Sequence, residues 1–269
     1  MRKTQTFFIP ANAAVVLMVV FLLSGISKSD AQQARWLHVN PGLQISAERD
    51  LGFSPLLYSG TGGMISLGYG VERDHSTDFV DAFFSSGNLS NRWETGMQVG
   101  SGGILAFRFY HGGEDAGRGF QWGWSNNNEL SVRDNESMTN FNNRFDYFTS
   151  FGPAGRYRLP FEFLGHGFLF QALAHVQLIG FKLQSSFVSQ NPKGYEVQTV
   201  SGWDVYRHSV ELFVPGSSWN FGLRPSLQYR LRSGNSFSIN YRYDFTRLEG
   251  AHRVTKSRGK WFVGLIVAL

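Results

Sequence analysis

Residues 237–245 read Phe-Ser-Ile-Asn-Tyr-Arg-Tyr-Asp-Phe, and this stretch decides how the rest of the chain is interpreted. Every odd position is apolar or aromatic, whereas every even position is polar or charged: Ser238, Asn240, Arg242 and Asp244. Successive side chains of a β-strand point to opposite faces. The stretch therefore predicts a strand with one apolar face and one ionic face.

The chain closes with a second alternating stretch, residues 261–269, in which Trp261, Val263, Leu265, Val267 and Leu269 share one face. Residues 248–260 between the two stretches are basic, and we expect them to form a loop. An alternating strand at the very end of a chain resembles the end of outer-membrane β-barrel proteins. Those often finish on Phe or Trp, where this chain has Leu269.

Similar alternation recurs in residues 63–72, 103–111, 144–151, 156–163, 168–181, 205–214 and 219–232. Glycine- and proline-containing segments between them predict turns at residues 152–155, 165–167, 215–218 and 233–235. We therefore predict an all-β, antiparallel transmembrane β-barrel of about twelve strands, with eight or ten as the alternatives. With both termini in the periplasm, this assignment places the weakly patterned residues 182–202 on the periplasmic side, where turns are usually short.

The first thirty-one residues have the layout of a secretory signal peptide. Arg2 and Lys3 precede the apolar core of residues 13–23, and Ser29-Asp30-Ala31 supplies small residues for cleavage after Ala31. A membrane-spanning helix is the alternative, but it needs about 20 apolar residues. We expect residues 1–31 to be removed and residues 32–269 to form a single barrel domain.

Composition narrows the classes of protein that the chain can belong to. Its 269 residues include no cysteine, which excludes disulfides, thiolate metal sites and a lipid-modified cysteine. Charged residues make up only 17%, whereas Phe, Tyr, Trp and Gly are abundant, which favours strands and turns. The net charge of +5 is spread along the chain without a dense basic run, so we expect no nucleic-acid partner.

Alternation alone fits both a soluble barrel and a membrane barrel, so the charges on the polar faces become important. They carry both signs on successive strands and could pair across a polar lumen. The predicted charged lining of the lumen consists of Arg144, Asp146, Arg156, Arg158, Glu162, Arg207, Glu211, Arg224, Arg230, Arg242 and Asp244. The excess of arginine in this lining could attract anions into a pore, or it could hold a small closed barrel together through ion pairs. We favour the second interpretation.

The mature chain resembles Gram-negative outer-membrane β-barrels over nearly its whole length. Its Ala-Gln junction after the signal and its Phe- and Asn-rich composition are similar to those of uncharacterised barrels of Bacteroidota. The resemblance implies export to the outer membrane, with outer-membrane lipid and other envelope proteins as candidate partners. It implies no particular activity.

Candidate catalytic residues are sparse. His75 and Thr77 are two apart beside Asp74 and Asp78, and His111 lies near Glu114 and Asp115. Solvated polar loops explain both sets better. A phosphate-binding loop, carboxylates at a set spacing and a metal signature are all missing from the sequence, so we expect no catalytic residue, metal or cofactor.

Three functions remain in order of preference. The first is a non-enzymatic barrel that serves as a structural protein, a small channel or a subunit of an envelope complex. The second is a barrel enzyme acting on envelope lipid, such as a lipid A deacylase or acyltransferase. The third is a secreted soluble β-protein.

Overall fold

The computed structural model describes residues 34–52, 54–111, 117–135, 143–184, 210–250 and 252–269. Contacts divide the chain into units Met1–Gln32 and Gln33–Leu269; the first, with the predicted signal peptide, lies outside the described residues. Within the described part, no helix is long and apolar enough to cross a membrane. The strands are β1 (Ala34–Asp50), β2 (Tyr58–Glu72), β3 (Ser76–Ser90), β4 (Gly96–Tyr110), β5 (Gly119–Asp134), β6 (Asn143–Phe163), β7 (His166–Gln177), β8 (Ile179–Gln184), β9 (Val210–Phe213), β10 (Ser218–Arg230), β11 (Ser236–Glu249) and β12 (Arg253–Ala268).

Ten of these strands close into an antiparallel barrel. Hydrogen bonding runs in the order β5-β4-β3-β2-β1-β12-β11-β10-β7-β6, and β6 then pairs with β5. The strands β8 and β9 pair with each other, and β8 also pairs with β6 beyond the end of β7. The predicted antiparallel barrel is therefore confirmed: twelve strand segments are present in the described residues, and ten of them form the ring.

The terminal hairpin is longer than its sequence suggested. The strands β11 and β12 pair from Ser236↔Ile266 to Glu249↔Arg253, so the expected loop at residues 248–260 is wrong. Lys256, Arg258 and Lys260 alternate along β12 and are buried inside the barrel. Their charges suggested a solvated loop, but in this barrel charged side chains also fill the interior.

The predicted turn at residues 152–155 is also wrong, because β6 runs through it without interruption. Gly152 and Ala154 are buried, and a Cβ at Gly152 would lie 1.9 Å from the carbonyl oxygen of Val176 on the neighbouring chain segment. The glycine permits a close approach of two strands rather than a reversal. The real turn follows at Leu164 and Gly165, where φ is +50° and +74°.

Removing the predicted turn at residues 152–155 changes the side on which the next two connections lie, those at residues 164–165 and 185–209. Both termini lie at one end of the barrel, where Trp36 pairs with Ala268. The strand β8 ends and β9 begins at the opposite end, since Leu183 pairs with Val210. The connection between β8 and β9, residues 185–209, therefore starts and finishes at the end away from the termini. The sequence had placed residues 182–202 on the same side as the termini, and that expectation is wrong.

The distribution of side chains identifies the barrel as a transmembrane one. Large apolar side chains are exposed on the outside, for example Leu43 (71% exposed), Val263 (63%) and Ile239 (58%). Polar and charged side chains fill the inside, where Lys260 and Asp146 are fully buried. A soluble barrel has the reverse arrangement, so this fold is that of a transmembrane β-barrel.

The strand β4 departs from this rule. Leu105, Phe107 and Phe109 on β4 face the interior and are almost completely buried. Arg108 points outward and donates hydrogen bonds to Asp78 of β3 near the end that carries the termini. The interior is thus mixed in character, with an apolar wall along part of one strand.

Candidate functional site

The charged interior of the barrel is the candidate functional site, and its first layer lies in the half away from the termini. Arg258 of β12 lies 2.7 Å from Glu48 of β1 and 2.6 Å from Glu129 of β5. Lys256 contacts Asp146, and Arg133 of β5 lies 3.0 Å from Asp50. All of these side chains are at most 4% exposed.

This first layer crosses the full width of the barrel. In the ten-strand ring, β12 and β5 are five places apart in either direction, so they are diametrically opposite. The direct ion pair between Arg258 and Glu129 therefore bridges the barrel from one wall to the opposite wall. Interiors of barrels near this size can be filled by side chains alone.

A second layer lies closer to the termini and is centred on Asp81 of β3. His38 Nε2 lies 3.3 Å from its carboxylate, Arg224 Nη1 3.2 Å and Arg242 Nη1 3.8 Å. Lys260 donates to Asp244 at 2.9 Å in the same layer. The strands of Asp81 and Arg224, β3 and β10, are again five places apart in the ring. The second layer therefore spans the barrel as well.

Between this layer and the terminus-bearing end lies a cavity of about 490 Å³, which we call the vestibule. Its rim includes Ala34, Gly234 and Ala268, and its inner end includes Asp81 and Arg242. Further arginines line its wall. Arg158 lies 2.8 Å from Glu72, whereas Arg156 donates hydrogen bonds to Gln121 at 2.8 Å and Thr77 at 2.9 Å.

The structure places the eleven predicted lining residues in three kinds of environment. Buried or mostly buried side chains are Arg144, Asp146, Arg156, Arg158, Arg224, Arg242 and Asp244. Exposed or half-exposed side chains are Glu162, Arg230 and Glu211, the last lying 3.5 Å from Lys182. Arg207 lies outside the described residues. The structure therefore brings Arg224, Arg242 and Asp244 together in the second layer and puts Asp146 in the first.

Sequence reasoning missed several members of the two layers: Glu48, Asp81, Glu129, Arg133, Lys256, Arg258 and Lys260. Lys256, Arg258 and Lys260 were assigned to a loop, although their spacing of two is itself a strand signal. Glu129 and Arg133 follow three consecutive asparagines, which hide the alternation of β5. Extending the test of alternation across these segments would have found most of them.

The candidate catalytic residues are not assembled into a site. His75 is exposed in the turn between β2 and β3, whereas Thr77 is buried inside the barrel and accepts a hydrogen bond from Arg156. Asp78 faces outward and pairs with Arg108. A nucleophile and its base must lie within hydrogen-bond reach of each other, and these three side chains point to different surroundings. Glu114 and Asp115 lie outside the described residues.

No family model matches the sequence, and no curated protein matches it. Among solved structures, the chain is similar to the β-domain of the Bordetella autotransporter BrkA, at 10% identity and a TM-score of 0.41, covering 88% of this chain and 99% of that one. It is also similar to the translocator domain of the autotransporter NalP from Neisseria meningitidis, at 9% identity and a TM-score of 0.37, covering 94% and 96%. A third similar structure is Ail, the attachment invasion locus protein of Yersinia pestis, at 10% identity and a TM-score of 0.32, covering 87% of this chain and 99% of that one. We draw no conclusion about this chain from similarities this distant.

Proposed function

We propose that the protein is an integral outer-membrane β-barrel of non-enzymatic type whose interior is closed to the passage of solutes. The observation that carries the proposal is the pair of charged layers, each spanning diametrically opposite strands through Arg258–Glu129 and Arg224–Asp81. A channel needs a continuous water-filled path. Two successive bridges across the width of the barrel favour a structural role over conduction.

The connections support an orientation with both termini in the periplasm. At the end with the termini, the connections comprise residues 73–75, 111–118, 164–165 and 231–235. At the other end they comprise residues 51–57, 91–95, 135–142, 185–209 and 250–252. Outer-membrane barrels have short periplasmic turns and longer external loops. Residues 185–209 form the longest connection and would therefore face outward from the cell.

A closed barrel of this kind acts through its outer surfaces. The outward-facing apolar side chains, such as Leu43, Ile239 and Val263, form an apolar belt that contacts outer-membrane lipid. The external connections provide a surface for other envelope proteins. A barrel enzyme is less well supported, because His75, Thr77 and Asp78 are directed to different environments.

Membrane fractionation and solute uptake test the proposal together. We expect the protein in the outer-membrane fraction, with a gel mobility that changes on heating, as folded barrels show. Liposomes that contain the purified protein should not swell in arabinose, in contrast to liposomes that contain a general porin. A soluble protein, rapid swelling, or an altered lipid A mass spectrum after deletion of the gene would contradict the proposal.

A further inference from the structure

The vestibule has the dimensions of a ligand-binding site. Its volume of about 490 Å³ lies within the range of about 300–1,000 Å³ that is usual for small-molecule pockets. Its inner end is closed by the second charged layer, and its rim residues belong to the end of the barrel that carries the termini. A ligand would enter from that end and stop at Arg224 and Arg242.

The vestibule carries an excess of positive charge. Its lining contains six arginines and two carboxylates: Arg35, Arg156, Arg158, Arg224, Arg230, Arg242, Glu72 and Asp81. Asp81 is shared between Arg224, Arg242 and His38, so it cannot satisfy either guanidinium fully. Such a surplus of arginine in a recess attracts anions.

Several donors at the inner end lack acceptors among the residues that the structure describes. Arg224 donates through Nη1 to Asp81, but its buried Nε and Nη2 make no hydrogen bond. Arg242 is 3% exposed, and its Nε forms an ion pair with Asp244 at 2.5 Å, but its Nη1 and Nη2 make no hydrogen bond. The buried hydroxyl of Ser226, two residues beyond Arg224, also lacks a partner. Unsatisfied buried donors are rare in proteins, and these three side chains all line the vestibule.

The walls of the vestibule add an apolar contribution. Trp36, Phe109, Leu169, Leu173 and Phe262 line it together with the arginines. An inorganic ion would satisfy the donors but leave these walls in contact with water. A ligand with a charged head and an apolar body would use both features.

We infer that the vestibule binds a small amphipathic organic anion, with a carboxylate or phosphate head at Arg224 and Arg242 and a short apolar body against Trp36, Phe109 and Leu173. The two nitrogens of Arg224 that lack acceptors match the planar, two-oxygen geometry of such a head group. The inference uses the proposed function only to place the entrance on the periplasmic side. Binding itself depends on the vestibule alone.

Titration calorimetry on the full, folded protein in a non-ionic detergent tests the inference. The probes are hexanoate, hexyl phosphate, inorganic phosphate, 1-hexanol and hexylamine. We expect hexanoate or hexyl phosphate to bind, and the stronger of the two identifies the head group. Inorganic phosphate, hexanol and hexylamine should bind at least about tenfold more weakly, since each lacks either the apolar body or the anionic head.

Arg224→Gln should weaken binding of the preferred anion by about tenfold or more, as expected for the loss of charge-assisted hydrogen bonds. The matched control is Arg247→Gln, which removes the same charge from an exposed side chain beside Glu249 and should leave affinity unchanged. Ser226→Leu keeps every charge but fills the inner end, and it provides a second test if Arg224→Gln fails to fold.

Equal affinity for hexanoate and hexanol, no binding of either anion, or full affinity in both vestibule variants would overturn the inference. Heat-dependent gel mobility reports folding separately for each variant. Absence of binding by a protein that inserts into the outer membrane would contradict the vestibule site alone. Binding by a protein found in the soluble fraction would contradict only the proposed function.

Discussion

Arg258 and Glu129 lie on diametrically opposite strands of the barrel, yet Nη1 of the arginine is 2.6 Å from Oε1 of the glutamate. Glu48, on the strand beside that of Arg258, accepts from Nε and Nη2 of the same guanidinium. One side chain therefore ties three strands together through the interior. Charged side chains therefore bridge the interior from one side to the other, beside the apolar wall of β4.

Removing only one partner of this bridge should lower the free energy of unfolding substantially. In Arg258→Met two buried carboxylates lose their main partner, and in Glu129→Leu the arginine loses one of two. Removing one partner of a buried pair typically costs about 3–5 kcal/mol of the free energy of unfolding. The double variant should be destabilised by less than the sum of the two single changes.

Urea unfolding in lipid or detergent, followed by gel mobility, measures these differences. Arg247→Gln is the control, because Arg247 pairs with Glu249 at an exposed position and such pairs are worth about 0–1 kcal/mol. Additive effects of the two interior changes would show that the residues are not coupled.

The outer face offers a second prediction, which distinguishes a membrane barrel from a soluble one. Val263→Arg places a charge on an outward position of β12 that is 63% exposed. In a bilayer this should cost up to about 2–4 kcal/mol, depending on depth. Leu57→Arg is the control, since Leu57 is 49% exposed but lies in the connection between β1 and β2.

Stability in liposomes should fall clearly for Val263→Arg and change by at most about 1 kcal/mol for Leu57→Arg. If both substitutions were equally harmless, the apolar belt would face water, and the membrane assignment would be wrong.

Gly152 provides a third prediction, because it lies within β6 rather than in a turn. A methyl group there would meet the carbonyl oxygen of Val176 at 1.9 Å, so Gly152→Ala requires movement of backbone. We expect a loss of about 1–3 kcal/mol, the usual range for overpacking. Gly167→Ala is the control, since its added carbon would have only Arg230 Cβ nearby, at 3.9 Å. A neutral effect of Gly152→Ala would favour the turn that the sequence suggested.

Much of the architecture could be read from alternation, because a period of two reports directly on strands and their faces. The ionic face of residues 237–245 and the mixed-sign charges of β6 were visible in this way. The closed ring and its ten-strand size depend on pairings between distant strands, such as β5 with β6 and β1 with β12, which no local pattern specifies.

The wrongly predicted turn at residues 152–155 and the wrongly predicted loop at residues 248–260 have physical explanations. Gly152 and Gly155 flank a proline, a composition that favours turns, but here the small residues allow close contact between strands. Lys256 and Arg258 have the charge of a loop, but they find buried partners in Asp146 and Glu129. Those partners come from other strands, so the sequence near β12 could not reveal them.

Single-channel recording in planar bilayers tests the closed interior most directly. The folded wild-type protein should give no unitary current steps, because Arg258–Glu129 and Arg224–Asp81 each bridge the barrel. A variant with both Arg258→Ser and Arg224→Ser should give steps, provided that its gel mobility shows it to be folded. Stable wild-type steps as large as those of this variant would contradict the account.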